Sequence, residues 1–261
     1  IHLPVAPKCN IQCKYCNRRL GCSNECRPGV AMSILSPELA LERLVSAKKK
    51  VPNITVVGIA GPGDALATPQ ETFKTFELVR THFPDSKLCM STNGLMLPEC
   101  MEQIKHWGVE FVTVTINAVD PRVGMQIYSW IRLNNRIYRG AEAAEILWDR
   151  QKAGLLQLAE ANILVKVNAV LIPGINDHHI VEIAQEVHLL GAFILNVIPL
   201  IPVDGTEFSS IPAPTLEQRR SIVEPCSRYI KIMHHCNQCR ADAVGLLEND
   251  LSNVLECRIV C

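Results

Sequence analysis

Short apolar runs alternate with amphipathic segments along most of this chain. Residues 54–60 form a continuous run rich in β-branched side chains, which is typical of a strand buried on both faces of a parallel sheet. Similar runs predict strands at residues 2–6, 87–91, 111–116, 163–170 and 193–198. Helices are predicted at residues 39–49, after the Thr68-Pro69 pair, at residues 99–107, 177–190 and 216–228, and over a crossover at 123–157 with one loop near Asn134 and Asn135.

The order of these elements predicts the fold class. Ser36 and Pro37 supply a cap and a first-turn proline for the first helix, and six strand–helix units follow one another. Such alternation indicates an α/β fold with a parallel sheet and right-handed crossovers, either an open doubly wound sheet or a whole or partial barrel. In both architectures the functional site lies at the C-terminal ends of the strands.

Glycine-rich and polar residues follow several of the predicted strands. Gly61-Pro62-Gly63-Asp64 comes after the second strand and Thr92-Asn93-Gly94 after the third, while Asn117 ends the fourth and Asn168 lies late in the fifth. Each glycine motif taken alone is explained equally well as an ordinary turn. Their shared position at successive strand ends favours one common site.

Three cysteines stand close together near the start of the chain, in the sequence Cys9-Asn-Ile-Gln-Cys13-Lys-Tyr-Cys16. Three thiolates on one short loop can bind three irons of a [4Fe–4S] cube and leave the fourth iron open for chemistry. A structural zinc site needs four protein ligands and more often has paired C-x-x-C motifs. A disulfide knot is the other alternative, and the absence of a visible secretory leader disfavours it.

Length, charge and cysteine content limit the classes of partner that this chain can bind. The 261 residues suffice for one large domain, and 26 basic against 26 acidic residues give a formal net charge of zero, so charge offers no case for nucleic acid or an anionic membrane. No apolar run is long enough to span a membrane and no signal peptide is visible, so a cytoplasmic location is expected. Twelve cysteines in a reducing compartment favour metal or redox work. Because the chain starts at Ile1, we expect it to be part of a longer one.

The remaining nine cysteines are of three kinds: possible ligands, expected core residues, and residues without an assignment. Cys22 and Cys26 follow the triplet closely and must lie over its mouth, and the Cys236-Asn-Gln-Cys239 spacing allows two thiolates to bind one metal or cluster. Cys89, in a strand, is by residue type more often inert core than ligand. Cys100 and Cys226, on predicted helices, are expected to be core residues as well, and Cys257 and Cys261 support no assignment.

The C-x3-C-x-aromatic-C spacing, followed by this α/β pattern, resembles the motif of radical S-adenosylmethionine (SAM) enzymes. The resemblance implies a partial (β/α)6 TIM-like barrel in which Cys9, Cys13 and Cys16 hold a [4Fe–4S] cluster whose open iron chelates SAM. It implies that a glycine motif after the second strand binds the SAM amino group. The SAM-contacting residues implied are Tyr15 near the adenine, Gly61, Gly63, Asp64, Asn93, Asn117 and Asn168, with Thr115 for the ribose and Ile198 for the adenine.

Longer stretches resemble one family within that superfamily, the NifB proteins that mature the nitrogenase cofactor. The stretches begin at His2, Glu25, Gly58, Leu88, Thr113 and Cys236, and the last, C-N-Q-C-R-A-D-A-V-G, is particularly specific. The resemblance implies two further [4Fe–4S] substrate clusters, one bound by Cys22 and Cys89 and the other by Cys236 and Cys239. Cys89 thereby changes from an expected core residue to an expected ligand. The predicted organisation is a barrel over residues 1–230 with a cluster-binding extension, 231–261, packed on it in the same domain.

The resemblance also implies a reaction. One SAM gives its methyl group to a sulfide of a substrate cluster, a radical from a second SAM abstracts hydrogen from that methyl group, and the clusters fuse into an eight-iron precursor with a central carbide. The implied partners are Fe–S cluster donors, a cofactor carrier or scaffold protein, and an electron donor such as ferredoxin. Glu25 is either an exchangeable ligand or proton acceptor, or a solvated loop carboxylate that pairs with Arg27.

Some expectations remain open at this point. The remaining substrate-cluster ligands of the family, a histidine and a cysteine, lie upstream of the triplet and outside this sequence, and the carrier domain attached to some members is absent from it. Cys26 stands where some members have no cysteine. Two other classes of function are a peptide-modifying radical SAM enzyme with auxiliary clusters and a non-enzymatic Fe–S carrier, although a carrier has no need of the SAM-binding residues.

Overall fold

A six-stranded parallel sheet forms the centre of the structure, a computed structural model that describes residues 1–22, 34–234, 241–246 and 249–250. The strands lie in the order β2-β3-β4-β7-β8-β9. Their bounds are β2 Val56–Ile59, β3 Lys87–Thr92, β4 Val109–Thr115, β7 Leu164–Leu171, β8 Ile194–Pro199 and β9 Lys231–Ile232. The predicted parallel α/β architecture is thus confirmed.

The helices connect these strands and cover one face of the sheet. They are α1 Pro37–Lys50, α2 Pro69–His82, α3 Leu97–His106, α4 Pro121–Ile127, α5 Gly140–Glu160, α6 Ile180–Leu189 and α7 Leu216–Cys226. The predicted cap is present, because the Ser36 side chain accepts a hydrogen bond from the Leu39 N–H and Pro37 is the first helical residue.

The two faces of the sheet differ in chemistry. Alternate strand residues such as Met90, Val114 and Val167 pack with the helices in one large apolar core. Since successive side chains of a strand point to opposite faces, the residues between them point the other way, and several of these are buried polar groups. They are Ser91, Thr113, Thr115, Asn168 and Asn196. The inner face is therefore available for a polar site.

The first predicted strand is reduced to two isolated bridges, His2 with Gly58 and Ala6 with Pro62, both parallel. Pro4 has no N–H to donate, and the Val5 N–H turns back to the Leu3 carbonyl, so no continuous ladder forms. The segment still follows the edge of β2.

The prediction of helix over 123–157 is wrong in its middle part. Two strands, β5 Tyr128–Leu133 and β6 Arg136–Tyr138, form an antiparallel hairpin between α4 and α5. Asn134 and Asn135 connect them with φ values of 50° and 61°, the left-handed conformation that a two-residue hairpin turn requires and that asparagine tolerates.

The cysteine motif supplies a third strand to this hairpin. β1, Ile11–Cys13, pairs antiparallel with β5, which gives a small sheet in the order β1-β5-β6. A further two-stranded pair, β10 Gly245–Leu246 and β11 Asn249–Asp250, lies in the C-terminal part. The cysteine loop is therefore held by the β5–β6 hairpin, which lies inside the stretch predicted as helix.

Candidate active site

The three motif cysteines line one cavity of about 260 Å³ at the carboxyl ends of β3 and β4. The loop that carries them is closed by Gln12, whose side-chain amide donates hydrogen bonds to the carbonyls of Cys13 and Cys16 at 2.9 and 2.8 Å. Eight of the predicted site residues line this cavity together: Cys9, Cys13, Cys16, Cys22, Gly63, Asp64, Asn93 and Thr115.

The donor set of the cavity fits an iron–sulfur cluster. In a cube each thiolate binds a different iron, so three cysteines spread along one wall are suitable ligands. Burial and secondly the charge of Asp64 raise the pKa of the Cys9 thiol to about 12, and burial raises the pKa of Cys13 well above its usual range. Bound metal supplies the positive charge that a thiolate needs in such a place.

Asn10 gives a second indication of fit. Its buried Nδ2 has no hydrogen-bond partner among the described residues. An amide N–H in this position can donate to a cluster sulfide, one of the contacts by which proteins adjust a cluster. Within the described ranges no three His, Cys, Asp or Glu side chains are placed to hold a single metal ion. The three cysteines of the cavity and the unpartnered amide beside them thus fit a cluster.

Gly63 and Asp64 bring the end of β2 against the cysteine loop. The Gly63 N–H donates to the Ala6 carbonyl at 2.6 Å and the Asp64 N–H to the Lys8 carbonyl at 2.7 Å. A Cβ atom on Gly63 would lie 2.1 Å from the Lys8 oxygen, so only glycine fits there. The backbone of this turn thus forms one wall of the cavity beside Cys9.

The Asp64 carboxylate is buried among donors. It accepts from the Asn93 N–H at 2.5 Å, from the Leu66 N–H at 2.9 Å and from the Thr92 hydroxyl at 3.1 Å. Burial raises the pKa of Asp64, and these hydrogen bonds oppose the rise. The carboxylate therefore connects the ends of β2 and β3, and it also places negative potential next to Cys9.

Asn93 connects the end of β3 to the cysteine loop. Its Nδ2 donates to Asn10 Oδ1 at 2.7 Å and lies 3.7 Å from Cys9 Sγ, and its Oδ1 accepts from the Leu95 N–H at 2.9 Å. Gln151 of α5 in turn donates to the backbone carbonyls of Asn93 and Thr115 at 2.7 and 2.9 Å.

Tyr15 and Asn117 lie behind the cavity, outside its lining. Both are buried, and Asn117 Nδ2 donates to the Tyr15 hydroxyl at 2.7 Å while its Oδ1 accepts from the Val170 N–H at 2.8 Å. Burial raises the pKa of Tyr15 well above its usual range, which keeps the phenol neutral. The structure thus brings these two together as a support behind the cysteine loop.

Asn168 and Ile198 lie on the inner face of the sheet, outside the lining of the cavity. The Asn168 Oδ1 accepts from Asn196 Nδ2 at 3.1 Å, and the two residues are directly paired across β7 and β8. Asn196 was not predicted, although a single polar residue in the apolar strand Ile-Leu-Asn-Val-Ile is a readable signal. Its Oδ1 has no hydrogen-bond partner within the part of the chain that the structure describes.

Cys89 and Gly61 also stand outside the lining of the cavity. Cys89 is half-buried in β3, paired with Gly58 on β2, and its Cβ lies on the inner face near His2. Gly61 begins the turn that carries Gly63, with a φ of 125°, and the site where its Cβ would be is 3.9 Å from the Ala241 Cβ.

Three predicted site residues, Glu25, Cys236 and Cys239, lie outside the described residues, as do Cys26, Cys257 and Cys261. The chain returns to the described part at Ala241, which is fully buried. Ala241 lies next to Gly61, and the Ala243 carbonyl accepts the His2 N–H at 2.8 Å. The residues that follow the C-x-x-C pair are thus fixed at the edge of the site.

Sequence reasoning missed the polar residues that hold the loop from outside it. Gln151 is an inward-facing amide on a long helix, and Asn176 donates to the carbonyls of Asn117 and Val170 at 3.0 and 2.8 Å. Arg18 and Arg19 line the cavity itself. The sequence alone does not show which Asn and Gln side chains are buried, because these residues are also common on exposed turns. Their supporting role becomes evident only from their contacts in the structure.

Comparison with known proteins settles the superfamily. The model of the Radical SAM superfamily matches residues 3–187, which is more than half of the chain. The chain belongs to the radical SAM superfamily. This membership confirms the predicted enzyme class, and a [4Fe–4S] cluster and SAM are the cofactors of the superfamily.

Several proteins with a sequence similar to this chain carry the name FeMo cofactor biosynthesis protein NifB. The one from Bradyrhizobium diazoefficiens is 50% identical over 256 residues, which cover 97% of this chain and 51% of that protein. The one from Chlorobaculum tepidum is 48% identical over 247 residues, covering 95% of this chain and 58% of that protein. The predicted resemblance to NifB is confirmed, and the chain spans about half the length of the curated relatives it matches.

Solved radical SAM structures share the fold. Streptococcus suis SuiB superposes with a TM-score of 0.64 at 15% identity, over 90% of this chain and 50% of that one. Methylornithine synthase (PylB) gives a TM-score of 0.58 at 13% identity, over 88% of this chain and 62% of that one. The predicted partial barrel is therefore confirmed. Among the described residues no helix has the length and apolar character needed to cross a membrane.

Proposed function

We propose that this chain is the catalytic core of a NifB-type maturase, which fuses two [4Fe–4S] clusters and inserts a SAM-derived carbide to make the eight-iron precursor of the nitrogenase cofactor. The observation that carries the proposal is the single cavity in which Cys9, Cys13 and Cys16 meet Cys22 and the turn at Gly63 and Asp64. The identity of about half to NifB proteins along nearly the whole chain supports it.

The residues of the cavity have different proposed roles. Cys9, Cys13 and Cys16 would hold the SAM cluster, which when reduced supplies the electron that cleaves SAM to a 5′-deoxyadenosyl radical. The turn at Gly63 and Asp64 lines the cavity with Cys9 and would bind the amino group of SAM. Thr115 stands on the same wall for the ribose, and the Tyr15 and Asn117 pair holds the loop from behind.

The substrate clusters would lie around this site. Cys22 lines the cavity, and Cys89 lies below it on the inner face of the sheet, so the two are proposed ligands of one cluster. Cys236 and Cys239 are proposed ligands of the other, because the residues after them are anchored beside Gly61. Clusters held by few thiolates can exchange a ligand as they merge, and Glu25 is the proposed exchangeable ligand or proton acceptor.

The proposed chemistry uses two SAM molecules. The first transfers its methyl group to a sulfide of a substrate cluster and leaves as S-adenosylhomocysteine. Reductive cleavage of the second would release methionine and a radical that abstracts one hydrogen atom from that methyl group to become 5′-deoxyadenosine, and loss of the remaining hydrogens as protons would yield the carbide. The buried cavity serves this step because it excludes water from a reactive radical.

The proposed partners follow from the substrates. Fe–S cluster donors would deliver the two cubes, a cofactor carrier or scaffold protein would take the product, and an electron donor such as ferredoxin would reduce the SAM cluster. All of this chemistry requires a reducing compartment, so we place it in the cytoplasm.

Anaerobic iron counting on reconstituted full-length protein, coupled to analysis of SAM products after reduction with dithionite, tests the proposal. We expect about twelve irons, as three cubes require, with both S-adenosylhomocysteine and 5′-deoxyadenosine formed. About four irons with 5′-deoxyadenosine as the sole SAM product would instead indicate a radical SAM enzyme with one cluster and would contradict the proposed maturase. Bound clusters with no SAM consumed would favour the Fe–S carrier.

A cysteine variant tests the ligand assignment. Cys236→Ala combined with Cys239→Ala should remove about four irons, one cube, and leave reductive SAM cleavage in place. The matched control is Cys100→Ala with Cys226→Ala, since these buried cysteines lie in the apolar core and do not line the cavity. Full iron in the tail variant would show that the tail cysteines are not ligands.

A further inference from the structure

The Tyr15 side chain is buried beneath the cysteine motif, between Cys13 and Cys16 in the sequence. Tyr15 is 1% exposed and Cys13 is 5% exposed. The Tyr15 ring packs against Phe208, with ring centres 6.5 Å apart, in the apolar cluster that also contains Cys13 and Tyr128. Its hydroxyl therefore lies in an environment without bulk water, where a hydrogen bond is stronger than in solution.

Asn117 determines the direction of the hydrogen bonds at this hydroxyl. Asn117 Oδ1 accepts from the Val170 N–H at 2.8 Å, so the atom that lies 2.7 Å from the Tyr15 oxygen is the amide Nδ2. An amide nitrogen donates and does not accept. The Tyr15 oxygen is thus the acceptor in its contact with Asn117, and the Tyr15 O–H is left to donate to another group.

The group that accepts from Tyr15 is the sulfur of Cys13, since the two side chains are hydrogen-bonded to each other. Burial has the largest effect on Cys13 and raises the pKa of its thiol, whereas the hydrogen bond from Tyr15 opposes that rise, as a donor to sulfur does. Cys13 is one of the three cysteines that would hold the SAM cluster. The Tyr15 hydroxyl therefore donates to a sulfur atom that would be bonded to iron.

We propose that Tyr15 is a positioning residue that raises the reduction potential of the SAM cluster through its hydrogen bond to Cys13. This inference rests on the proposed function. A reduced cluster carries one more negative charge than an oxidised one, and a hydrogen bond to a ligand sulfur stabilises the more negative form. Asn117 supports the effect because its amide keeps the hydroxyl proton directed toward the sulfur. Without the Tyr15 hydroxyl, the same reductant would reduce a smaller fraction of the cluster.

Tyr128 provides a matched control for this inference. It is a second buried tyrosine of the same apolar cluster, it stands opposite Cys13 in the pairing of β1 with β5, and its hydroxyl is hydrogen-bonded to Asn117. Tyr15→Phe and Tyr128→Phe thus each remove one buried hydroxyl that contacts Asn117. Tyr15→Phe removes in addition the hydrogen bond to Cys13, so a difference between the two variants reports on that bond.

The test is a redox titration of reconstituted full-length protein without SAM, followed by electron paramagnetic resonance. The SAM cluster is distinguished from other clusters by the change in its spectrum when SAM is added to a parallel sample. In Tyr15→Phe we expect the equilibrium constant for one-electron reduction of this cluster to fall about tenfold, which is a shift of about 59 mV to lower potential. Tyr128→Phe should titrate as the unchanged protein does.

Incorporation of 3-fluorotyrosine at position 15 tests the same bond in the opposite direction. Fluorine makes the phenol a stronger donor and keeps the ring and the hydroxyl, so the potential should rise, and this variant decides the matter if Tyr15→Phe does not assemble its cluster. An unchanged potential in Tyr15→Phe, an equal fall in Tyr128→Phe, or a fall with 3-fluorotyrosine would each overturn the inference. Absence of a [4Fe–4S] signal that responds to SAM in the unchanged protein would instead count against the proposed function.

Discussion

At the scale of the residue, Asn93 decides how the cysteine loop meets the sheet. One side chain donates to Asn10 in the loop and accepts from Leu95 at the start of the next helix, and its backbone N–H contacts Asp64. The position of Asn93 after a strand predicts a site residue, and the resemblance to radical SAM enzymes implies that it contacts SAM. The contacts add a supporting role, which no pattern reveals because it depends on a residue more than eighty positions away.

Asn93→Ala is expected to lower the free energy of unfolding by about 2 kcal/mol, because buried partners on both sides lose their hydrogen bonds. Retention of iron should fall with it, since Cys9 and Asn10 lose their contact with β3. Urea unfolding and iron content measure the two effects. An alanine variant as stable as the parent would contradict this role.

Gly63→Ala should be much more damaging than its size suggests. The added Cβ would lie 2.1 Å from the backbone oxygen of Lys8, so the turn must shift away from the loop. We expect a loss of about 3 kcal/mol in unfolding free energy and loss of SAM binding by calorimetry. Gly140→Ala is the control, since nothing lies within 4 Å of its added Cβ and only its φ of 63° opposes the change, at about 1 kcal/mol. Equal effects in the two variants would refute the close-approach argument.

At the scale of the element, the cysteine loop is held between the β5–β6 hairpin and helix α5. The hairpin supplies Tyr128 and Ile131, both buried, to the core beneath the loop, and α5 supplies Gln151 to the ends of β3 and β4. Periodicity predicted α5 well and the hairpin poorly. The strand Tyr-Ser-Trp-Ile-Arg-Leu lies inside the stretch predicted as helix, and the predicted loop at Asn134 and Asn135 is its hairpin turn.

Gln151→Leu tests the contribution of α5. The change leaves two buried carbonyls, those of Asn93 and Thr115, without their donor, so we expect a loss of about 2 kcal/mol in urea unfolding. The control is Gln157→Leu in the same helix. Its buried Oε1 has no partner among the described residues, so removing it should be neutral or stabilising. A larger loss in the control than in Gln151→Leu would contradict this description of the helix.

Ile131→Ala tests the contribution of the hairpin. Ile131 is fully buried and stands opposite Ile11 on the strand that contains Cys13. Truncation should cost about 3 kcal/mol and make the cluster easier to lose to a chelator, because the cysteine strand loses its packing. Ile137→Ala, which changes a largely exposed residue of the same hairpin, should leave the rate of iron release unchanged. Equal iron release in the two variants would show that the hairpin does not support the loop.

At the scale of the whole molecule, the fold collects residues from distant parts of the chain at one end of the sheet. The α/β order and the position of the site at strand ends follow from alternation alone, and the cavity confirms that Cys9, Gly63, Asn93 and Thr115 meet there. Alternation could not predict that residues 241–246 return to the edge of β2, because that contact depends on tertiary packing beside Gly61. Residues near the start of the chain and residues 241–243 therefore meet at the edge of the site.

Transfer of label from SAM tests whether this protein inserts a SAM-derived carbon into an iron–sulfur product. Full-length reconstituted protein is reduced in the presence of SAM labelled with ¹⁴C in its methyl group, and the iron–sulfur product is separated from protein and small molecules. We expect label in the iron–sulfur product, with S-adenosylhomocysteine and unlabelled 5′-deoxyadenosine formed alongside. Formation of 5′-deoxyadenosine with no label in the iron–sulfur fraction would contradict it.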